Sequence, residues 1–280
     1  KRLLILESPL LLPQQFLAIQ KLPACAERSE AGRRDGDLKV TTIPILFEAS
    51  HGPQTLRHAV KRICQEAQVA VDGGATILVL SDRGLNADQA PIPSLLATAA
   101  IHHHLIRTGR RMRASLVIEA GDVHEVHQFA CLIGYGAAAI YPYLAYQTIR
   151  QQVDSGRFEK VTFEQALAHF KKSVDQGLLK IMSKMGISTV GSYRGAQIFE
   201  ALGLSEELIQ ECFPGTSSRI GGITYEHVAQ EVLSWHRKAF QEQATALEAG
   251  GFYKYRREGE YHAFNPETVR YLQQSLKVGD

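Results

Sequence analysis

Nowhere does this sequence hold the roughly 20 consecutive apolar residues that a bilayer-spanning helix needs. Leu3–Leu12 is cut by Glu7, Ser8 and Pro9, and Ala137–Ala145 by Pro142, so neither is expected to cross a membrane. A surplus of one charge sign is missing as well: 31 Lys and Arg nearly cancel 29 Asp and Glu, leaving +2. That balance gives no electrostatic case for nucleic acid or an anionic membrane as a partner, and any anion site must be local. Cysteine is sparse and scattered. Cys25, Cys64, Cys131 and Cys212 form no CxxC, no Cys–His pair at finger spacing and no cluster signature, so no metal or iron–sulfur site is legible. Four free thiols suit a reducing compartment, and a cytoplasmic location is expected. A basic start with an apolar core and cleavage site is absent too. The first residue is Lys1, and the chain reads as a piece of something longer. There is also no GxSxG, no HExxH and no carboxylate pair at a spacing that argues general acid and base work, so no catalytic residue is assigned.

What the 280 residues do hold is an ordinary globular composition, 45% hydrophobic and 21% charged, enough for one large domain or two modest ones. Ala24–Gly36 is small, charged and without periodicity, and reads as a surface excursion. A strand-then-helix rhythm follows. Val40–Phe47 is a short β-branched strand, and Gln54–Val71 sets Leu56, Val60, Ile63, Ala67 and Val71 at helical spacing before Gly73 and Gly74. Next come strand Thr76–Leu80, helix Pro93–Thr108, strand Ala114–Glu119, helix Val123–Leu132 and strand Ala138–Tyr141. Strands apolar throughout are buried on both faces, and helices between them supply the crossovers that parallel pairing requires.

The fold class is therefore α/β: parallel βα units over about residues 40–141, resembling an incomplete TIM-type barrel, then a mainly helical second half over about residues 142–250. Four strands fit half a βα barrel or an open doubly wound sheet, and periodicity does not separate the two. Beyond Tyr143, the segments Leu144–Val153, Phe163–Met185, Ser192–Ala201, Ser205–Cys212 and Tyr225–Glu248 read as helices, Ile187–Val190 as a short strand, and a last helix starts at Pro266. Val228, Val232 and Trp235 form the stripe of the Tyr225 helix expected to be covered.

Ser81, Asp82 and Arg83 follow directly on a strand, at the carboxyl end where parallel α/β proteins build their sites. The plainer alternative is that Asp82 caps or turns the connection and Arg83 pairs with it or with a neighbouring domain. His102, His103 and His104 are consecutive on a helix and cannot share one metal. His124 and His127 have the right spacing, with Glu119 and Glu125 nearby, but nothing selects a metal site over a solvated helix face. Gly134–Ala139 leads from helix into strand, the reverse of a phosphate-cradling loop, and reads as a close backbone approach. The loop Gly215–Gly222 offers the hydroxyls of Ser217 and Ser218 and the charge of Arg219 to an anion, or serves as a connector. Lys180 and Lys184 share a helix face and read as a solvated pair.

Several long stretches together resemble the large subunit of glutamate synthase in its central domain. They are LILESPLLLPQQF, the block ILVLSDRGLNADQAPIPSLLATAAIHHHLIRTGRRMRASLVIEAGDVHEVHQFACLIGYGAAAIYPYLAYQTI, the later LLKIMSKMGISTVGSYRGAQIFEALGL, and the tail GGFYKYRREGEYHAFNPETVRYLQ. Ala24–Gly36 matches least and looks like a local substitution or insertion. The resemblance implies residues 1–250 as central domain and 251–280 as the start of an FMN-binding synthase domain. In that family an amidotransferase domain hydrolyses glutamine, and ammonia travels inside the protein to the FMN domain. There it condenses with 2-oxoglutarate, and the imine is reduced to glutamate. Electrons arrive through an iron–sulfur cluster, from ferredoxin or a pyridine-nucleotide-oxidising partner. No cofactor is expected within these 280 residues. Their implied role is to join the two reaction centres and wall the ammonia passage, with Ser81, Asp82, Arg83, Tyr193 and Arg194 facing neighbouring domains or the passage, and Asp82 paired with an arginine. The alternatives are a self-sufficient βα enzyme binding a small anion through Asp82, Arg83 and the Ser217–Arg219 loop, and a freestanding interaction module.

Overall fold

The computed structural model describes residues 4–22, 38–158, 160–240, 249–252 and 254–278. The Ala24–Gly36 segment, with Cys25, lies outside them, as does the end of the expected Tyr225–Glu248 helix. Two compact units result, Lys1–Arg237 and Lys238–Asp280.

The first unit opens with α1 (Pro13–Gln20), started by a proline at its first position. Strands β1 (Val40–Pro44) and β2 (Leu46–Glu48) replace the single expected strand. Pro44 has no N–H to continue a ladder, and the chain breaks there. After α2 (Thr55–Asp72) come β3 (Ile77–Ser81), β4 (Gln89–Pro91), α3 (Ser94–Arg107) and β5 (Ser115–Glu119). Helix α4 (Val126–Gly134) then leads into β6 (Ala137–Tyr141). Helix α4 starts three residues later than its apolar pattern suggests, because Gln128 Oε1 accepts from the His124 and Glu125 N–H groups at 2.8 and 2.9 Å and so caps the helix there. Strands β1, β3, β5 and β6 make one parallel sheet in that order. Each new strand joins the same side, without the reversal a doubly wound sheet requires, so the sheet is a half barrel that does not close. The short β2 and β4 pair antiparallel beside it.

Alternate residues of each strand enter separate cores. Leu78, Leu80, Leu116, Ile118 and Ile140 pack with the helical layer, where α2 contributes Leu56, Val60, Ile63 and Ala67. Ile77, Val79, Val117 and Ala139 face the other way, onto Leu11 and onto Phe16 and Ile19 of α1. Helix α1 thus fills the side that would be the interior of a closed barrel. Its leading segment lies against the outer edge of β6, with Leu11 N–H donating to Ile140 O at 2.9 Å and Ile140 N–H to Pro9 O at 2.7 Å.

The second half is helical: α5 (Tyr143–Asp154), α6 (Phe163–Lys184), α7 (Val190–Tyr193), α8 (Glu206–Cys212) and α9 (Tyr225–Ala239), with the two-residue strands β7 (Glu200–Ala201) and β8 (Ser217–Ser218). Gly177 lets α6 approach α4, since a Cβ there would meet a Val126 methyl at 2.6 Å. Ile187–Val190 is not a strand. Thr189 instead caps α7, its Oγ1 accepting from Ser192 N–H at 3.2 Å, and the expected Ser192–Ala201 helix stops at Tyr193 before Gly195 at φ +72°. On α9 the covered stripe is Tyr225, Ala229, Leu233 and His236; Val228 and Val232 are half-buried, and Trp235 is exposed. In the second unit α10 (Pro266–Val278) is capped by Asn265, whose Oδ1 accepts from Glu267 and Thr268 N–H at 2.9 Å.

Candidate functional site

The parallel register fixes the site. It sets Pro44 opposite Ser81, Ser81 opposite Glu119 and Glu119 opposite Tyr141, so four strand ends form one row. Because the residue before each of the last three faces the helical layer, the row faces the α1 side. There it borders a cleft of about 510 Å³, completed by Phe16, Leu17 and Gln20 of α1 and by Thr42 and Arg83. Phe16 stacks on Tyr141 at 4.4 Å between ring centroids and walls one side.

The polar groups of the row are mutually committed. Ser81 Oγ donates to Glu119 Oε2 at 2.6 Å, and Arg83 Nε donates to Glu119 Oε1 at 3.1 Å. Arg83 also lies over the Tyr143 ring, 3.7 Å from its centroid. The arginine expected for Asp82 therefore goes to Glu119. Asp82 turns into the protein instead, where Oδ2 accepts from Gly121 N–H at 2.7 Å and the Tyr143 hydroxyl lies close by. Its Oδ1 is buried without a partner. Burial, with Asp122 and Glu119 nearby, pushes the Asp82 carboxyl up to about 6. Burial likewise raises the Tyr143 phenol. Neighbouring Asp122 caps α3, its Oδ2 accepting from Ser94 N–H at 2.9 Å.

Sequence reasoning singled out Ser81, Asp82 and Arg83, and these do come together. It missed Glu119 and Tyr143 as their partners. The available signal was positional: Glu119 ends an otherwise apolar strand, as Ser81 ends its own. Tyr193 and Arg194 are elsewhere. Without the Ile187–Val190 strand they occupy no strand end; Tyr193 is buried, its hydroxyl unpartnered, and Arg194 is exposed near the amino end of β6. In the Ser217–Arg219 loop, Ser218 Oγ donates to Leu204 O at 3.0 Å and Arg219 meets Glu200 at 3.4 Å.

The cleft does not suit a flavin phosphate. The one guanidinium that lines it among the described residues is already paired with the Glu119 carboxylate. Among the described residues no group of three or more His, Cys, Asp or Glu could hold a metal ion, and no helix is long and apolar enough to cross a membrane. Cys64 and Cys131 are buried, their thiols pushed up to about 12 and about 11 by burial.

Comparison with known proteins matches residues 1–205 to the glutamate synthase central domain model. The chain is 43% identical over 276 residues to the glutamate synthase [NADPH] large chain of Bacillus subtilis, covering 98% of this chain and 17% of that protein. To ferredoxin-dependent glutamate synthase 2 of Synechocystis it is 44% identical over 262 residues, covering 88% and 17%. To the glutamate synthase [NADH] of Schizosaccharomyces pombe it is 39% identical over 282 residues, covering 99% and 13%. The chain thus spans less than a fifth of the length of these curated relatives. Among solved structures, a mutant flavocytochrome b2 with benzoylformate overlaps 57% of this chain and 34% of that one, at 12% identity and a TM-score of 0.37. Dihydroorotate dehydrogenase (DHODH) of Eimeria tenella with ferulenol overlaps 60% and 40%, at 14% and 0.38. These overlaps are too slight to argue from, and the half-barrel description rests on strand order alone. The family match over 205 of 280 residues carries the assignment: this chain belongs to the glutamate synthase central domain family.

Proposed function

We propose that this chain is the connecting domain of a glutamate synthase, walling the passage that carries ammonia from a glutamine-hydrolysing domain to an FMN domain of the same long chain. The whole enzyme would make glutamate from glutamine and 2-oxoglutarate, with FMN and an iron–sulfur cluster held outside these residues, and with ferredoxin or a pyridine-nucleotide-oxidising partner as electron source. Residues 251–280 would begin the FMN-binding domain. One observation carries the reading at the cleft. Glu119 is clamped between Ser81 and Arg83, and the only acceptor Asp82 leaves unbonded is fully enclosed. A lining whose acids are occupied or withdrawn does not trap ammonia as ammonium, while aromatic rings limit water. Arg83, half-exposed on the cleft, is the residue whose loss opens that lining.

The test uses a full-length glutamate synthase carrying these residues. In Arg83→Ala, ammonia released per glutamine hydrolysed should rise while glutaminase kcat is unchanged. Arg194→Ala, at the opposite end of the sheet, should not leak. If glutaminase activity and glutamate formation fall together with Tm in Arg83→Ala, the arginine is a structural clasp and the channel reading fails at this site.

A further inference from the structure

A second cluster lies at the amino ends of the strands, around the turn Gly134-Tyr135-Gly136 that joins α4 to β6. Gly136 has φ +113°, and a Cβ there would meet His102 Nδ1 at 2.2 Å, so the turn lies directly on this α3 histidine. Arg111 reaches it from a 3-10 turn after α3. Nε donates to His102 Nδ1, Nη1 to Ala114 O and Nη2 to Gly136 O, each at 2.8 Å. Every one of these acceptors is uncharged. Because His102 Nδ1 accepts, its proton sits on Nε2 and the ring is neutral; burial, Arg111, His103 and Arg194 push its pKa down to about 3.

The other arginine approaches the same turn from α7. Gly195 N–H donates to Gly134 O at 2.8 Å, which brings the preceding Arg194 alongside, close enough to act electrostatically on both Arg111 and His102. Arg194 is exposed. Of the half-buried arginines among the described residues, Arg57 and Arg110 pair with a carboxylate and Arg111 does not; exposed Arg194, like exposed Arg107 and Arg150, has none. Arg111 is lowered to about 10 by burial and by Arg194, and stays charged at neutral pH. Service as a backbone clasp accounts for the three bonds of Arg111. It leaves a half-buried guanidinium without a counter-charge, and Arg194 adds a like charge that acts on it, a repulsion that an anion would offset. Three bonds leave two N–H groups on Arg111 and five on Arg194.

We propose that Arg111 and Arg194 form a receptor for a single oxyanion, phosphate- or carboxylate-bearing, at the end of the sheet opposite the cleft. Paired guanidinium forks suit the spaced oxygens of such a group. The source is a free solute or a carboxylate of an adjoining stretch of a longer chain. The proposal stands apart from the ammonia passage and uses none of its residues.

Thermal unfolding of the chain in inorganic phosphate, against potassium chloride at matched ionic strength, tests it. Phosphate should raise Tm saturably, by about 2–4 °C. Arg194→Gln removes no intramolecular bond of the described residues, so it should leave the Tm in chloride unchanged and weaken phosphate binding by about tenfold or more. Arg194→Glu places a carboxylate beside Arg111; it should raise Tm in chloride and abolish the phosphate response. In a full-length synthase bearing both arginines, a retained response identifies a solute site, and a response lost there but present in the chain alone identifies an adjoining carboxylate. No Tm response of the chain beyond chloride, or one that Arg194→Gln leaves intact, overturns the proposal.

Discussion

Asp82 illustrates at the residue scale how a strand end changes ordinary chemistry. Its carboxyl, raised by burial from 3.8 to about 6, holds a proton more tightly folded than unfolded. The contribution is therefore complete below about pH 4 and is lost as pH rises through about 6, of order 3 kcal/mol. Asp82→Asn keeps an acceptor for Gly121 N–H and removes the titration. Urea unfolding at about pH 4 and pH 7 should give the wild type a stability difference larger than the variant's by roughly that amount; identical differences would refute it. Glu119 should behave differently. In Glu119→Gln an acceptor for Ser81 survives and only the half-exposed Arg83 loses its charge partner, costing about 1 kcal/mol. Glu119→Ala also strands the buried Ser81 hydroxyl and should cost about 2–3 kcal/mol by the same measurement.

At the scale of elements, α1 is held by what it covers. Phe16 is 2% exposed, and Phe16→Ala should cost about 3–5 kcal/mol in urea unfolding, with loss of the cleft wall against Tyr141. A cost under about 1 kcal/mol would mean that α1 is not integral to the sheet. The central strands were legible in the sequence because both faces are buried and Thr76–Leu80 and Ala114–Glu119 are apolar almost throughout. Ile187–Val190 had similar β-branched composition, yet Ser188 and Thr189 are exposed, and threonine capping decided the local conformation. The β2–β4 pair escaped notice because three residues carry too little periodicity. The partners of Ser81 and Asp82 escaped for another reason. They are 38 and 61 residues distant in sequence, and only the register brings them together.

For the whole molecule, the same half barrel supports expectations about what the chain does by itself. Purified alone, it should form no glutamate from glutamine and 2-oxoglutarate and show no flavin absorption; a yellow protein with bound FMN would contradict the domain assignment. Removing the chain from Tyr225 onward should uncover the surface beneath Ala229 and Leu233 and increase binding of a hydrophobic dye. The place of α1 reaches further than stability. Two half barrels can in principle be fused, by gene duplication or by strand exchange between copies, into a closed eight-stranded ring. Here such a fusion would first have to evict Phe16 and Ile19 from the concave side and leave them in water. A helix that covers this side of the sheet therefore stands in the way of ring closure: any added strands would have to displace it first.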